Sequence, residues 1–422
     1  MWYVQVRSFQ QPSTEVTLSR SGGLTWSLSG AGISLHGDWR LKYRVIFPVS
    51  DHGSFVASAS GASISVSVTL GATAAGEPTI STTRCTCHID RLRIHLYGGA
   101  SWLYNLFMGF VEGSLRDNLQ QKICEAAQNT VNTDVARELA TLLVKVPLGR
   151  DKQWLLDYRL VSPPAFASGY LESFHKGEFF SAGDSTEAPF QSSPLPSPST
   201  ADHMVNFWAS SYVLNTVGYV LQKRGILRHN LIKKDLPRES RDRLNTTCSF
   251  LAGCIGALVP QVGKKFPNAF VEVEMFSSAP PMAGIDPQKL TGSFGGVAVL
   301  RARLSDGSLA HLFGINVTAK ITVVVRLDGT VLKATLTSME STFAVINSSV
   351  GPISTTLLGL AFDVFKTRFI IPKLNEAGEK GLPLATIKHV RFINAGLRLE
   401  NDCVRVFTDV TYSSSNTLYS QP

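Results

Sequence analysis

The chain has 422 residues, 44% of them hydrophobic and 17% charged, and a formal net charge of +8. That length exceeds what one hydrophobic core usually serves, so two or three domains of an ordinary globular protein are expected. The charge divides unevenly: residues 1 to 200 hold 16 Lys+Arg against 16 Asp+Glu, and residues 201 to 422 hold 24 against 16.

The opening "MWYVQVRSFQQ" places charge and polar residues where a signal peptide has a continuous apolar core. In "GASISVSVTLG" Ile64, Val66, Val68 and Leu70 alternate with hydroxyl residues, the pattern of a half-buried antiparallel strand. "RLRIHL" repeats it, with Leu92, Ile94 and Leu96 inward and Arg91, Arg93 and His95 outward. After Gly98-Gly99, Leu103, Phe107, Phe110, Leu115, Leu119 and Ile123 recur at helical spacing, so residues 101–131 form a long amphipathic helix.

Cys85 and Cys87 precede the "RLRIHL" strand and Cys124 sits beside the helix's apolar stripe, so one bridge staples helix to sheet. Residues 85 and 87 point to the same side of a strand, and pattern alone does not choose between them. "APFQSSPLPSPSTADH" is too rich in proline and serine for sheet or helix. It sets a spacer over 191–202 between domains at 1–190 and 203–422.

The second domain begins with a helix expected over 203–222. The segment 222–243 then carries eight basic and three acidic residues in turns and strand edges, the reading of a solvated polar face. "NTTCSFLAGCIGALVP" brings Cys248 and Cys254, whose spacing allows a bridge across a turn or, as the favoured reading, two separate buried thiols; Cys403, with no evident partner, adds another. Asp328-Gly329 lies between two alternating runs and marks a hairpin. A helix is expected over 353–374, and Val404, Val406, Thr408 and Val410 align in the last strand.

No apolar run approaches the roughly 20 residues of a bilayer-spanning helix. No aromatic-interleaved basic patch, zinc-finger spacing or arginine-rich arm points to nucleic acid. Nucleophile elbows, zinc-protease signatures, phosphate-cradling loops and metal-ligand clusters are missing too, so neither an enzyme nor a metal or other cofactor is expected. Asn245, Asn316 and Asn347 begin N-glycosylation sequons, which matter only on the secretory route.

The stretches "GEPTISTTRCTCHIDRLRIHL", "SWLYNLF", "KICEAAQNTV", "YRLVSPPAFASGYLESFHKGEFF", "LNTVG", "LPRESRDRL", "VGKKFPNAF" and "PKLNEAGEKGLPLATIKHVRF" occur in this order. Together they resemble the family of bactericidal permeability-increasing protein and lipopolysaccharide-binding protein, over essentially the whole chain. The resemblance implies an α+β fold: an elongated boomerang of two twisted antiparallel β-barrels wrapped around long helices and joined by a central sheet. It also implies that Cys85 is the partner of Cys124 and that Cys87 is extra. Against the family pattern Met1 falls inside a first-domain strand, so a leader, an opening strand and a first long helix are expected to be missing from this chain.

Function in the family implies acyl chains of phospholipid held in apolar pockets, and a first-domain tip that engages lipopolysaccharide and the bacterial outer membrane. The walls expected here are Leu103, Leu106, Phe107, Phe110 and Val111 in the first domain, and Tyr212, Val213, Val217, Leu357, Leu360 and Phe362 in the second. A helix on a barrel buries a face in either case, so the same residues serve packing or lipid. Candidate anionic head-group contacts are Arg40, Lys42 and Arg44; the other matching tip segment, 95–113, has no lysine or arginine. A secreted, extracellular or granule monomer that carries phospholipid is the implied state.

Overall fold

The computed structural model describes residues 3–19, 23–44, 48–148, 152–167, 169–196, 202–236, 238–249, 253–384 and 390–412. The chain divides into two compact units: Met1–Val146 with Tyr158–Lys176, and Pro147–Asp157 with Gly177–Pro422. Residues 147–157 and 177–190 therefore belong with the second unit, whereas the sequence reading put the division at 191–202. Residues 197–201 of that stretch lie outside the described residues.

In the first unit, β1 (Val4–Gln10), β2 (Ser13–Ser19), β3 (Gly23–Arg44), β4 (Pro48–Ala72) and β5 (Pro78–Tyr97) make one antiparallel sheet. Its order is β1-β3-β4-β5, with β2 also on β3, so β5 ends the sheet. The three long strands change phase at one level. On β4 the apolar row is Ala62, Ile64, Val66 and Val68 on one side of Gly61, and Phe55, Ala57 and Ala59 on the other. The β5 partners shift with it, from Cys85, Cys87 and Ile89 to Leu92, Ile94 and Leu96. Gly30 (φ 77°) and Gly61 (φ 64°) supply the left-handed backbone that such a bulge uses. Val66, Val68, Ile89 and Leu92, from both sides of the line, are the buried aliphatics of this sheet.

Helix α1 (Ser101–Asn129) follows the Gly98-Gly99 break and runs through a π-turn at Thr130–Val135 into α2 (Ala136–Ala140). A short strand, β6 (Lys145–Leu148), spans the division between the units, and β7 (Trp154–Asp157) lies in the second. The chain returns to the first unit for the hairpin of β8 (Ala165–Ala167) and β9 (Tyr170–Glu172).

The second unit opens with β10 (Glu178–Ser181), paired to β7. Next come β11 (Val205–Ser210), α3 (Ser211–Lys223), β12 (Arg228–Leu231), α4 (Ile255–Leu258) and α5 (Pro260–Lys265). A large antiparallel sheet is built from β12 and from β13 (Phe270–Ser277), β14 (Met282–Asp286), β15 (Lys289–Arg303), β16 (Leu309–Asp328) and β17 (Val331–Ile346). After α6 (Thr355–Phe365) and α7 (Ile371–Lys380), β18 (Leu382–Pro383) joins its end. The β16–β17 hairpin turns at Gly329-Thr330, one residue beyond the Asp328-Gly329 signal, because Asp328 still pairs with Val331. Strands β19 (Val390–Glu400) and β20 (Cys403–Tyr412) complete a small sheet in the order β11-β20-β19. The core of this unit joins Val259 and Val262 from the α4–α5 region, Val271, Leu300, Ala302, Leu312 and Phe313 from the sheet, and Leu358 from α6.

The helix expected over 203–222 is instead a strand to Ser210 and a helix from Ser211. The strand pairs with β20 along its whole length, and Arg405, buried on β20, ties it further. Its guanidinium donates to Asn206 Oδ1 at 2.7 Å and to Asp202, and it stacks on the ring of Trp208 at 5.4 Å. Asn206 and Trp208 reach it together because strand spacing puts residues i and i+2 on one face.

Cys85 and Cys124 are bridged, Cα to Cα 5.7 Å, tying β5 to α1. Cys248 and Cys254 are also bridged, which corrects the favoured reading of two separate thiols: their Cα atoms stand 6.2 Å apart, inside disulfide range. Cys87 and Cys403 are free, and burial pushes the Cys403 thiol up to about 11.

Loss of the long bridge by Cys124→Ala is expected to destabilise the first unit by up to roughly 4 kcal/mol, since it releases a loop of about 40 residues in the unfolded chain. Cys87→Ala should shift stability by less than about 1 kcal/mol. Urea unfolding followed by tryptophan fluorescence separates the two.

Candidate functional site

An amphipathic helix normally buries its apolar face. Here the first three turns of α1 dock through polar residues, and along the full helix the apolar positions do not keep to one face, which corrects the expectation of one long apolar stripe. The backbone N–H groups of Ile89, Ile94 and Leu96, on the outer edge of β5, donate to Gln120 Oε1 (2.8 Å), Glu112 Oε1 (2.7 Å) and Asn105 Oδ1 (3.1 Å). Asn132, in the π-turn, accepts from Thr82 N–H at 2.8 Å. Asn105 also donates from Nδ2 to Leu96 O at 2.9 Å, so its amide pairs with Leu96 as another strand would. An open sheet edge leaves donors that need partners, and the helix provides them.

At 3.6 residues per turn, Asn105 and Glu112 lie about half a turn from the apolar positions of the first three turns. Those positions face outward: Leu106 is 71% exposed, Phe107 66% and Phe110 86%, with Trp102, Leu103 and Val111 beside them. The predicted first-domain wall is thus assembled on one helix face, but as an open apolar surface rather than the lining of a closed pocket.

The helix start is fixed from the sheet. Ala100, its N-cap residue, has no side-chain cap; Asp51 on β4 accepts from Ala100 N–H at 2.8 Å and from the Tyr104 hydroxyl at 3.1 Å. The Ala100 N–H is the largest influence holding the Asp51 carboxyl below its usual range. Trp39 on β3 donates to Tyr97 O at 3.2 Å and meets the Tyr104 ring edge-on at 5.5 Å. This end of the sheet also carries Arg40 and Lys42, both exposed and opposite His52 and Ser50 on β4. Neither forms an ion pair among the described residues. Arg44 ends β3, and its side chain lies outside the described residues. Exposed cations and the exposed apolar face of α1 therefore border one end of the unit.

The second-unit candidates do not form one surface. Leu357 and Leu360 on α6 are exposed, Phe362 is half-buried with its ring 6.2 Å from that of Phe343, and the residue that enters the core is Leu358. Tyr212 on α3 is buried and packs edge-on against Phe190 at 5.8 Å. Burial first, then the hydrogen bond to the Glu178 carboxylate, raises its hydroxyl's pKa. Val213 and Val217 are half-buried.

The polar docking recurs in this unit. Asn215 of α3 accepts from Ala283 N–H at 2.6 Å and donates to Ala283 O at 3.3 Å, along β14. Asn375 of α7 accepts from Leu336 N–H on β17 at 2.7 Å. Sequence reasoning missed these amides because it weighed only apolar positions. The available signal was a series of Asn, Gln and Glu opposite an apolar stripe, with asparagine a weak helix former.

Among the sequons, Asn316 and Asn347 are exposed, and half-buried Asn245 donates to Asp242.

The model of the LBP / BPI / CETP family N-terminal domain matches residues 2–134, and that of its C-terminal domain matches residues 149–412. Similar proteins include a bactericidal permeability-increasing protein of Sebastes schlegelii, 28% identical over 97% of this chain and 84% of that one. Lipopolysaccharide-binding proteins of Bos taurus (26%, over 97% and 83%) and Homo sapiens (27%, over 92% and 79%) are further relatives. A crystal structure of lipopolysaccharide binding protein matches with a TM-score of 0.56 at 23% identity, covering 97% of this chain and 88% of that one.

Asp51 stabilises the docked helix start fully above the ordinary carboxylate pKa, and that contribution is lost as pH falls through its lowered value. Acidification below about pH 4 should therefore loosen the start of α1, read as a change in tryptophan fluorescence. Asp51→Asn is expected to remove that transition.

Proposed function

The chain belongs to the LBP/BPI/CETP family of lipid-binding proteins, and from that premise we propose that it holds acyl chains of phospholipid or bacterial amphiphiles on its apolar helix faces. Engagement of lipopolysaccharide in antibacterial defence, after secretion, is the fuller reading. The observation that carries it is the exposed apolar face of α1 beside Arg40 and Lys42. Each methylene transferred from water contributes about 0.8 kcal/mol, and the cations answer the phosphates of an amphiphile head. No catalytic step is needed for this activity.

A second reading is carriage of phospholipid or neutral lipid with little endotoxin affinity. Segment 95–113, at the same end as Arg40 and Lys42, has no lysine or arginine, which favours it. The readings separate by salt: cation-led binding weakens as ionic strength rises, and acyl-chain burial does not.

Native mass spectrometry of protein from a eukaryotic secretion host, with organic extraction, tests the shared part; co-purified phospholipid is expected. Leu106→Glu with Phe110→Glu should lower lipid retention by roughly tenfold per side chain while leaving the melting temperature unchanged, because both residues are already exposed. Protein that carries no extractable lipid would overturn the proposal. Titration with lipopolysaccharide at low and high salt decides between the readings. Under the defence reading Arg40→Ala with Lys42→Ala weakens binding and flattens its salt dependence; under the carrier reading neither changes.

A further inference from the structure

The sheet of the second unit has two unlike faces. On β16, Phe313 and Ala319 turn into the buried side, whereas Lys320 and Thr322 turn to the other. On that other face an open depression of about 470 Å³ is bounded by β14, β15, β16 and β17. Its volume is that of a small-molecule site. Its lining is not that of an acyl-chain site: Lys289, Thr291, Ser293, Lys320, Thr322, Ser338 and Glu340 outnumber Met282, Ala283 and Ile321.

The strand register orders these groups. Thr291, Thr322 and Ser338 form one row across three strands, and Ser293, Lys320 and Glu340 form the next. Lys289 stands at the far end of β15, four residues from Ser293, or roughly 13 Å along the strand. The four-carbon stem of each lysine lets both ammonium groups close over the threonine row between them. Two of these residues have ready partners and do not pair with them. Lys289 is opposite Asp286, and Lys320 is opposite Glu340, yet none of the four forms an ion pair among the described residues. Thr291 already donates to Gly284 O at 3.2 Å. The hydroxyls of Thr322 and Ser338 make no hydrogen bond among the described residues.

Two unpaired ammonium groups above a row of hydroxyls suit the oxygens of a phosphate, each contact being charge-assisted or a good donor. Glu340, beside Lys320, is misplaced for a bare anion but suits a cation carried by the same ligand. We propose that this depression binds a phosphate ester bearing an ammonium group, of the phosphoethanolamine type. Lys289 and Lys320 hold the phosphate over Thr322 and Ser338, whose hydroxyls are free to donate, and Glu340 holds the ammonium. The site lies on the opposite face of the sheet from the core that includes α6, and it does not rest on the lipid-binding reading above.

Calorimetric titration of the full chain with O-phosphoethanolamine, and separately with inorganic phosphate, tests it. The ester is expected to bind more tightly than phosphate. Lys289→Ala and Lys320→Ala should each weaken it about tenfold, and Glu340→Gln should abolish the preference for the ester over phosphate. All three residues are exposed, so melting temperatures should hold. A second arm uses vesicles of phosphatidylcholine with and without phosphatidylethanolamine, in the Leu106→Glu, Phe110→Glu background. Lysine-dependent binding to the phosphatidylethanolamine vesicles places the headgroup on a membrane; lysine-dependent binding of the soluble ester alone makes the ligand a free metabolite. The proposal is overturned if neither probe binds at millimolar concentration, if the double lysine variant binds as the parent does, or if Glu340→Gln keeps the preference.

Discussion

The first unit depends on satisfying one sheet edge. A terminal strand as long as β5 exposes a line of backbone donors, and leaving them bare invites pairing with other chains. The protein answers with side chains rather than another strand: Asn105, Glu112 and Gln120 of α1, and Asn132 just beyond it, each accept one of those N–H groups. Because these residues occupy the inward face of α1, the apolar residues have no place against the strand and turn outward. The exposed apolar surface thus follows from how the edge is covered. The Cys85–Cys124 bridge and the Asp51 contact to Ala100 then fix the helix along its length and at its start.

The same solution reappears in the second unit on a smaller scale. Asn215 and Asn375 attach α3 and α7 to strands by amide-to-backbone contacts, while Leu358 shows α6 inserting an apolar residue into the core in the ordinary way. Exposed and packed positions on these helices therefore do not sort by hydrophobicity alone. Leu358 and Leu360 are two residues apart on one helix; one is in the core and the other is 61% exposed.

Much of the fold was legible in the sequence. The alternation of Ile64, Val66 and Val68 and of Leu92, Ile94 and Leu96, the hairpin at Gly329 and the long first helix all stand where the pattern puts them, because each is set by local periodicity. The choice of Cys85 over Cys87 came from family resemblance, since both point the same way along β5. What stayed hidden depends on distant residues. β11 is a strand because it pairs with β20, about 200 positions later, where Arg405 meets Asn206 and Trp208 together. Cys248 and Cys254 are bridged, a pairing that a separation of six residues allows but does not dictate. The outward turn of Phe107 and Phe110 follows from amides that no apolar pattern registers.

The line through Gly30, Gly61 and Asp90 resembles a dislocation in a crystal, where lattice rows are continuous on both sides but offset by one step. In β4, inward is even-numbered beyond it and odd-numbered before it. Counting residues thus locates a side chain only within one terrace of the sheet. A substitution series transferred across the line by parity would place every change on the wrong surface. The seam is also closely packed: a Cβ at Gly61 would stand 2.1 Å from the Asp90 carboxylate, so only glycine fits where β4 crosses it.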